Sequence, residues 1–169
     1  MLRAIAVLCV LGSVAYAGEG ESALSPSLGY ATYATLDKDG KPASPDAGAM
    51  IGATYERGIS EALSWRVSAV GGGFVGGGTT WAAWGAAGIV YRFDVLKYVP
   101  YVEVSGGAVL LGGGPLASGV DPLLELGGGL DWLQDRDRSF GVEIRLGSFA
   151  GDTTIFTAGV RTTWRWGYF

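Results

Sequence analysis

Along most of this 169-residue chain, apolar and polar side chains alternate with a period of two, the spacing of a strand whose two faces meet different surroundings. Leu63, Trp65, Val67 and Ala69 alternate with Ser64, Arg66 and Ser68. Trp81, Ala83, Ala87, Ile89, Tyr91 and Phe93 alternate with Ala82, Trp84, Ala86, Gly88, Val90 and Arg92. Further on, Val102, Val104, Ala108 and Leu110 oppose Tyr101, Glu103, Ser105 and Gly107, and Leu124, Leu126, Leu130 and Trp132 oppose Glu125, Gly127, Gly129 and Asp131. Phe140, Val142, Ile144 and Leu146 oppose Gly141, Glu143, Arg145 and Gly147, and Phe156, Val160, Trp164 and Trp166 oppose Thr157, Gly159, Arg161 and Arg165. Two earlier segments fit less cleanly, with Leu28, Tyr30, Ala34 and Leu36 on one face of the first and Ala49, Ile51, Ala53 and Tyr55 on one face of the second. The pattern predicts eight strands of roughly nine to fourteen residues, enough to cross a bilayer at a tilt.

The longest uncharged stretch, residues 67–91, is long enough to be a membrane helix, but Gly71-Gly72-Gly73, Gly76-Gly77-Gly78, Thr79 and Thr80 in its interior oppose a helix and suit a turn. It reads as a hairpin. Connectors then alternate between longer ones at 37–46, 72–79, 112–121 and 150–153 and short turns near 58–62, 94–99 and 133–138. An even strand count puts both chain ends on the short-turn side. The expected fold is all-β: a closed, antiparallel, up-and-down barrel of eight strands, with no longer internal repeat.

With the apolar face outward, the inward face carries Glu56, Arg66, Arg92, Glu103, Glu125, Asp131, Glu143, Arg145, Arg161 and Arg165, five carboxylates and five guanidiniums. Lys38, Lys41 and Lys97 all fall in connectors. Arg shares planar forked hydrogen bonds with carboxylates, so this set suits a narrow barrel plugged by its own side chains. A charged conduit is the functional alternative. Alternation alone does not fix which face points in, and a soluble lipocalin-like carrier would invert the arrangement. The missing charge on the apolar face and the aromatic strand ends favour a membrane, with Trp81, Tyr91, Trp132, Trp164, Trp166 and Tyr168 in interfacial girdles.

The N-terminus reads as a secretory signal: Arg3, an apolar stretch over 4–14, and Ala15-Tyr16-Ala17 before Gly18, which assigns residues 1–17 to a cleaved signal peptide and 18–169 to the barrel. The one cysteine, Cys9, lies within this signal and is read as part of its apolar stretch, not as a lipoprotein acceptor. A sequence pI near 4.7 with no basic block argues against nucleic acid as a partner. Histidine is absent, which removes the commonest general base and metal ligand. Gly71-x-Gly73-x-x-Gly76 matches a dinucleotide-binding spacing, but a strand and no helix follows it. Asp37-Lys38-Asp39-Gly40 begins like a calcium loop and lacks the later ligands. No cofactor, metal or catalytic residue is expected. The spacing of two between Glu143 and Arg145 is simply the inward period of a strand.

Taken together, the pattern resembles the eight-stranded outer-membrane barrels of the OmpA, OmpX and OmpW type, over nearly the whole chain after the signal. Two pieces carry most of it. Tyr91-Arg92-Phe93-Asp94-Val95-Leu96-Lys97-Tyr98-Val99-Pro100-Tyr101-Val102 resembles a short periplasmic turn between central strands. The aromatic C-terminus resembles the recognition signal for the barrel-assembly machinery, with Phe169 last; the apolar alternation on Val160, Trp164, Trp166 and Tyr168 runs one residue out of phase, and a bulge at Gly167 would realign it. The resemblance implies a cell outer-membrane protein of Gram-negative type, exported by its signal, with outer-membrane lipids and the assembly machinery as partners and a monomeric state. The functions it implies are a non-enzymatic structural or surface-interaction role, or small-solute passage as in OmpW-like barrels with a hydrophobic lateral path. Acyl-processing barrel enzymes of this size use a serine beside a histidine, and this chain has no histidine. Short, Gly-rich loops argue against an elaborate extracellular binding surface.

Overall fold

The computed structural model describes residues 19–35, 46–76, 79–93, 97–113, 119–149 and 153–167. The signal segment, the Asp37-Lys38-Asp39-Gly40 loop, the turn residues Asp94, Val95 and Leu96, and the terminal Tyr168 and Phe169 lie outside them. Eight strands follow one another: β1 (Ser22–Thr35), β2 (Asp46–Gly58), β3 (Leu63–Val75), β4 (Thr79–Arg92), β5 (Tyr98–Gly112), β6 (Gly119–Leu133), β7 (Arg138–Phe149) and β8 (Thr153–Trp166). Each pairs antiparallel with its sequence neighbours, and β1 pairs with β8 from Ser22↔Trp166 to Thr35↔Thr153, so the sheet closes into a barrel with no free edge. Tight turns hold the short-connector end: Ile59 N–H donates to the Leu63 carbonyl at 2.8 Å, and Gln134 N–H to the Arg138 carbonyl at 3.0 Å.

The strands are longer than the alternation alone marks. Gly71, Gly72 and Gly73, read from sequence as turn residues, belong to β3 and pair with Ile51, Met50 and Ala49 of β2. Asp46, assigned above to a connector, opens β2 instead. Closure explains both shifts, since an unpaired backbone at that depth loses hydrogen bonds that continuing the ladder recovers. At Gly167 the sequence suggested a bulge within the last strand. β8 ends at Trp166 and Gly167 has a left-handed φ of +83°, while the proposed realignment of Phe169 falls outside the described residues.

The period-two pattern resolves into an apolar exterior. Leu28, Ile51, Val142, Val160 and Leu126 stand exposed on it. The only charges on the outer face of the described strands are Arg57 and Arg138, both at the short-turn end. In water this belt would be a continuous apolar surface far larger than soluble proteins leave exposed. The lipocalin-like arrangement, with apolar residues inside and charges outside, is therefore reversed here.

The lumen has two tiers. Toward the short turns it is lined by charged side chains. Toward the longer connectors it is an apolar core in which Tyr33, Met50, Val70, Phe74, Trp84, Val109, Leu111, Leu123, Phe149 and Ile155 pack together. The sequence reading of an interior made of Arg and carboxylates covers only the first tier. The second was present in the phase: Val70 and Phe74 share the face of Arg66, and Trp84 shares that of Arg92. An apolar residue on the wet-looking face of a strand is easy to discount, because alternation is read from contrast and here the contrast fails.

Candidate functional site

Every one of the ten proposed lumen charges points inward, and nine of them are buried. Arg92, nearest the short-turn mouth, is the least covered, with a side chain 10% exposed. Strand pairing sets the first contact: Glu56 on β2 is the register partner of Arg66 on β3, and Arg66 Nε donates to Glu56 Oε1 at 3.0 Å. Glu56 is shared further, by Arg92 from β4 and by Arg161 Nη1 from β8 at 3.5 Å. One carboxylate thus ties four strands across the lumen.

A second node is Asp131 on β6. Arg161 grips it with both ends of its fork, Nε to Oδ1 at 3.0 Å and Nη2 to Oδ2 at 2.6 Å, the planar two-bond geometry that only a guanidinium supplies. Arg165 adds a longer bond from Nη2 to Oδ2 at 3.4 Å. The third node joins Glu103 and Glu143 through Arg145, whose Nε lies 2.8 Å from Glu103 Oε1 and whose Nη2 donates to Glu143 Oε2 at 3.1 Å. Arg66 reaches Glu103 as well, linking the first and third nodes. Tyr101 lies beside both, its ring centroid 4.3 Å from the guanidinium carbon of Arg161 and 5.0 Å from that of Arg66. An aromatic ring attracts a guanidinium through its quadrupole, so Tyr101 adds a favourable contact to each.

Glycine makes the room. A Cβ on Gly129 would lie 2.5 Å from Tyr101 Oη and 2.7 Å from its Cε1, besides meeting the Val142 carbonyl. We expect Gly129→Ala to cost about 1–3 kcal/mol through overpacking, read as a lower urea midpoint of the folded barrel in detergent. Gly106→Ala, whose Cβ would meet nothing closer than 3.8 Å, should leave the midpoint unchanged; equal effects of the two would refute the steric argument.

Glu125 departs from the expected pairing. No guanidinium lies within ion-pair distance of it among the described residues; instead Trp84 Nε1–H donates to its Oε1 at 3.1 Å and the Ser105 hydroxyl to its Oε2 at 3.3 Å. Glu125 therefore sits where the charged tier meets the apolar one. Two buried carboxylates were missed from sequence. Glu21 approaches Arg165 at 3.9 Å near the short-turn mouth. Asp46, at the opposite end, accepts a hydrogen bond from the Tyr33 hydroxyl at 2.7 Å. Phase would have found Asp46, which shares the inward face of Glu56, but small residues between them hide the alternation.

Of the proposed girdle, Trp81, Tyr91, Trp132, Trp164 and Trp166 all stand on the outer surface, 41–52% exposed. Four of them lie toward the short turns, and Trp81 lies toward the longer connectors. Tyr168 and Phe169, the proposed assembly signal, lie outside the described residues.

No three His, Cys, Asp or Glu side chains among the described residues are grouped to hold a metal. A closed eight-stranded barrel with an apolar exterior and buried charges in its lumen defines the class: this chain has the fold of the small outer-membrane β-barrels. No family model and no curated sequence matches the chain. Among solved structures it is similar to Neisserial surface protein A (NspA), with a TM-score of 0.71 at 11% identity over 86% of this chain and 99% of that one. It is also similar to the outer-membrane protein OprG of Pseudomonas aeruginosa, with a TM-score of 0.64 at 9% identity over 92% of this chain and 100% of that one. The outer-membrane enzyme PagL gives a TM-score of 0.54 at 15% identity over 83% of this chain and 97% of that one. One fold thus carries surface proteins and an enzyme, and function has to be argued from the residues.

Proposed function

We propose that this chain is an exported, monomeric, non-enzymatic outer-membrane protein whose barrel is a closed anchor with a structural or surface-interaction role. The observation that carries the reading is a lumen occupied by ionic nodes toward the short turns and by an apolar core toward the longer connectors. A small pocket against the lumen charges, lined by Glu21, Glu56, Ser64, Arg92 and Arg165, has a volume of about 10 Å³, room for about one water. The apolar tier also opposes ion passage, because a bare ion entering it loses its hydration. The likeness to a surface protein supports the surface role, and the apolar belt supports the bilayer. The absence of histidine, and the lack of any lysine on a strand, remove the usual bases for activating a serine.

The test is fractionation with conductance. Expressed with its N-terminal segment in a Gram-negative host, the protein should enter the outer-membrane fraction, migrate differently before and after boiling, and show no steady conductance in planar bilayers. A reproducible channel would replace the anchor reading with solute passage. Recovery as a detergent-independent soluble protein would overturn the membrane assignment itself.

A further inference from the structure

An apolar groove of about 640 Å³ lies outside the lumen, on the barrel's outer wall. Strand register explains its shape. One bank is the row Tyr98, Trp132, Phe140 and Thr162, partners across β5 to β8, continued by Pro26 on β1. The other bank is Leu130, Val142, Val160, Leu28 and Ile51, partners from β6 through β7, β8 and β1 to β2. Between them runs a floor of backbone at Gly141, Arg161, Ser27 and Gly52. The first bank dips at Thr162 and Pro26, its smallest side chains. There the β1–β8 ladder also lapses, skipping Ser25 and Pro26 while the β1–β2 ladder runs through both. Proline has no N–H to give, so the missing donor falls on the β8 side.

The groove is a trench running across the strands. Six strands at about 4.8 Å spacing make it roughly 24 Å long. Because barrel strands tilt by about 45°, it climbs obliquely from the short-turn rim to near mid-height, about half of the roughly 30 Å hydrocarbon core. At its lower end Lys97 Nζ sits 5.3 Å from the Trp132 ring centroid, and no carboxylate lies within ion-pair distance of it among the described residues. An apolar trench one leaflet deep with a cation at its polar end matches one kind of molecule. We propose that it binds an anionic phospholipid of the periplasmic leaflet, one acyl chain lying in the trench and the phosphate at Lys97. This rests on the outer-membrane reading above, which sets the short turns on the periplasmic side.

Intact-complex mass spectrometry of the purified barrel in detergent tests this, with phosphatidylglycerol and phosphatidylethanolamine titrated as probes. The wild type should hold one phosphatidylglycerol, preferred by about fivefold as expected for one cation at an anionic lipid. Val142→Trp, which fills the trench, should abolish the adduct. Val104→Trp, on the outer face of β5 away from it, should not. Lys97→Glu should keep chain binding and lose the preference. Leu130→Trp serves if Val142→Trp fails to fold, as judged by its heat-modifiable mobility. No adduct on the wild type, or an adduct undiminished by filling the trench, overturns the proposal while the outer-membrane reading stands. A wild type absent from the outer-membrane fraction overturns that reading, and the leaflet assignment with it.

Discussion

Arg161→Met is expected to destabilise the folded barrel by about 3–5 kcal/mol, the usual consequence of removing one partner from a buried ionic cluster. The Arg161 side chain is fully buried and binds Asp131 in a fork, with further reach to Glu56 at 3.5 Å and Glu143 at 4.0 Å. Methionine replaces its length and apolar stem but none of its donors. Asp131 would keep only the longer bond to Arg165, and three carboxylates would lose a shared cation. Urea unfolding in detergent micelles, followed by the heat-modifiable shift, would show the loss as a lower midpoint. Arg57→Met, on the outer face, is the control and should move it little. Adding Asp131→Leu to Arg161→Met should recover part of the loss, since the uncompensated carboxylate is then gone. An unchanged midpoint for Arg161→Met would mean that water, not protein, satisfies these charges.

Phe74→Ala tests the upper tier and should cost a comparable amount, about 3–5 kcal/mol for emptying a packed aromatic site. Phe74 is 1% exposed and meets the Tyr33 ring edge-on at 5.0 Å between centroids. Its loss also frees the ring that carries the Tyr33 hydroxyl to Asp46. The same unfolding assay reads the effect. A change below about 1 kcal/mol would be too small for a dry core and would point to a hydrated upper lumen, reopening the passage reading.

These two substitutions probe halves of the lumen that were unequally legible in the sequence. The lower half announced itself because charge on alternate residues, as in Glu143 and Arg145 or Arg161 and Arg165, has few explanations in an otherwise apolar strand. The partners were less legible. Pairing by composition suggested that each Arg meets one acid, whereas Glu56 serves three guanidiniums and Glu125 none, being held by Trp84 and Ser105. Register alone links Glu56 with Arg66; the contact of Glu56 with Arg161, 105 residues away, exists only because the barrel closes.

Local chemistry was therefore sufficient for the number of strands, their antiparallel order and the face each residue occupies, because a period of two is a property of the single strand. What points into a common volume is not local. Whether the polar face looks in or out, that Tyr101 meets two guanidiniums, that apolar residues on the inward face gather into one tier, and that two outward rows enclose a trench at Pro26 all depend on closure and tilt. Those bring together strands far apart in the chain, and only the tertiary structure fixes them.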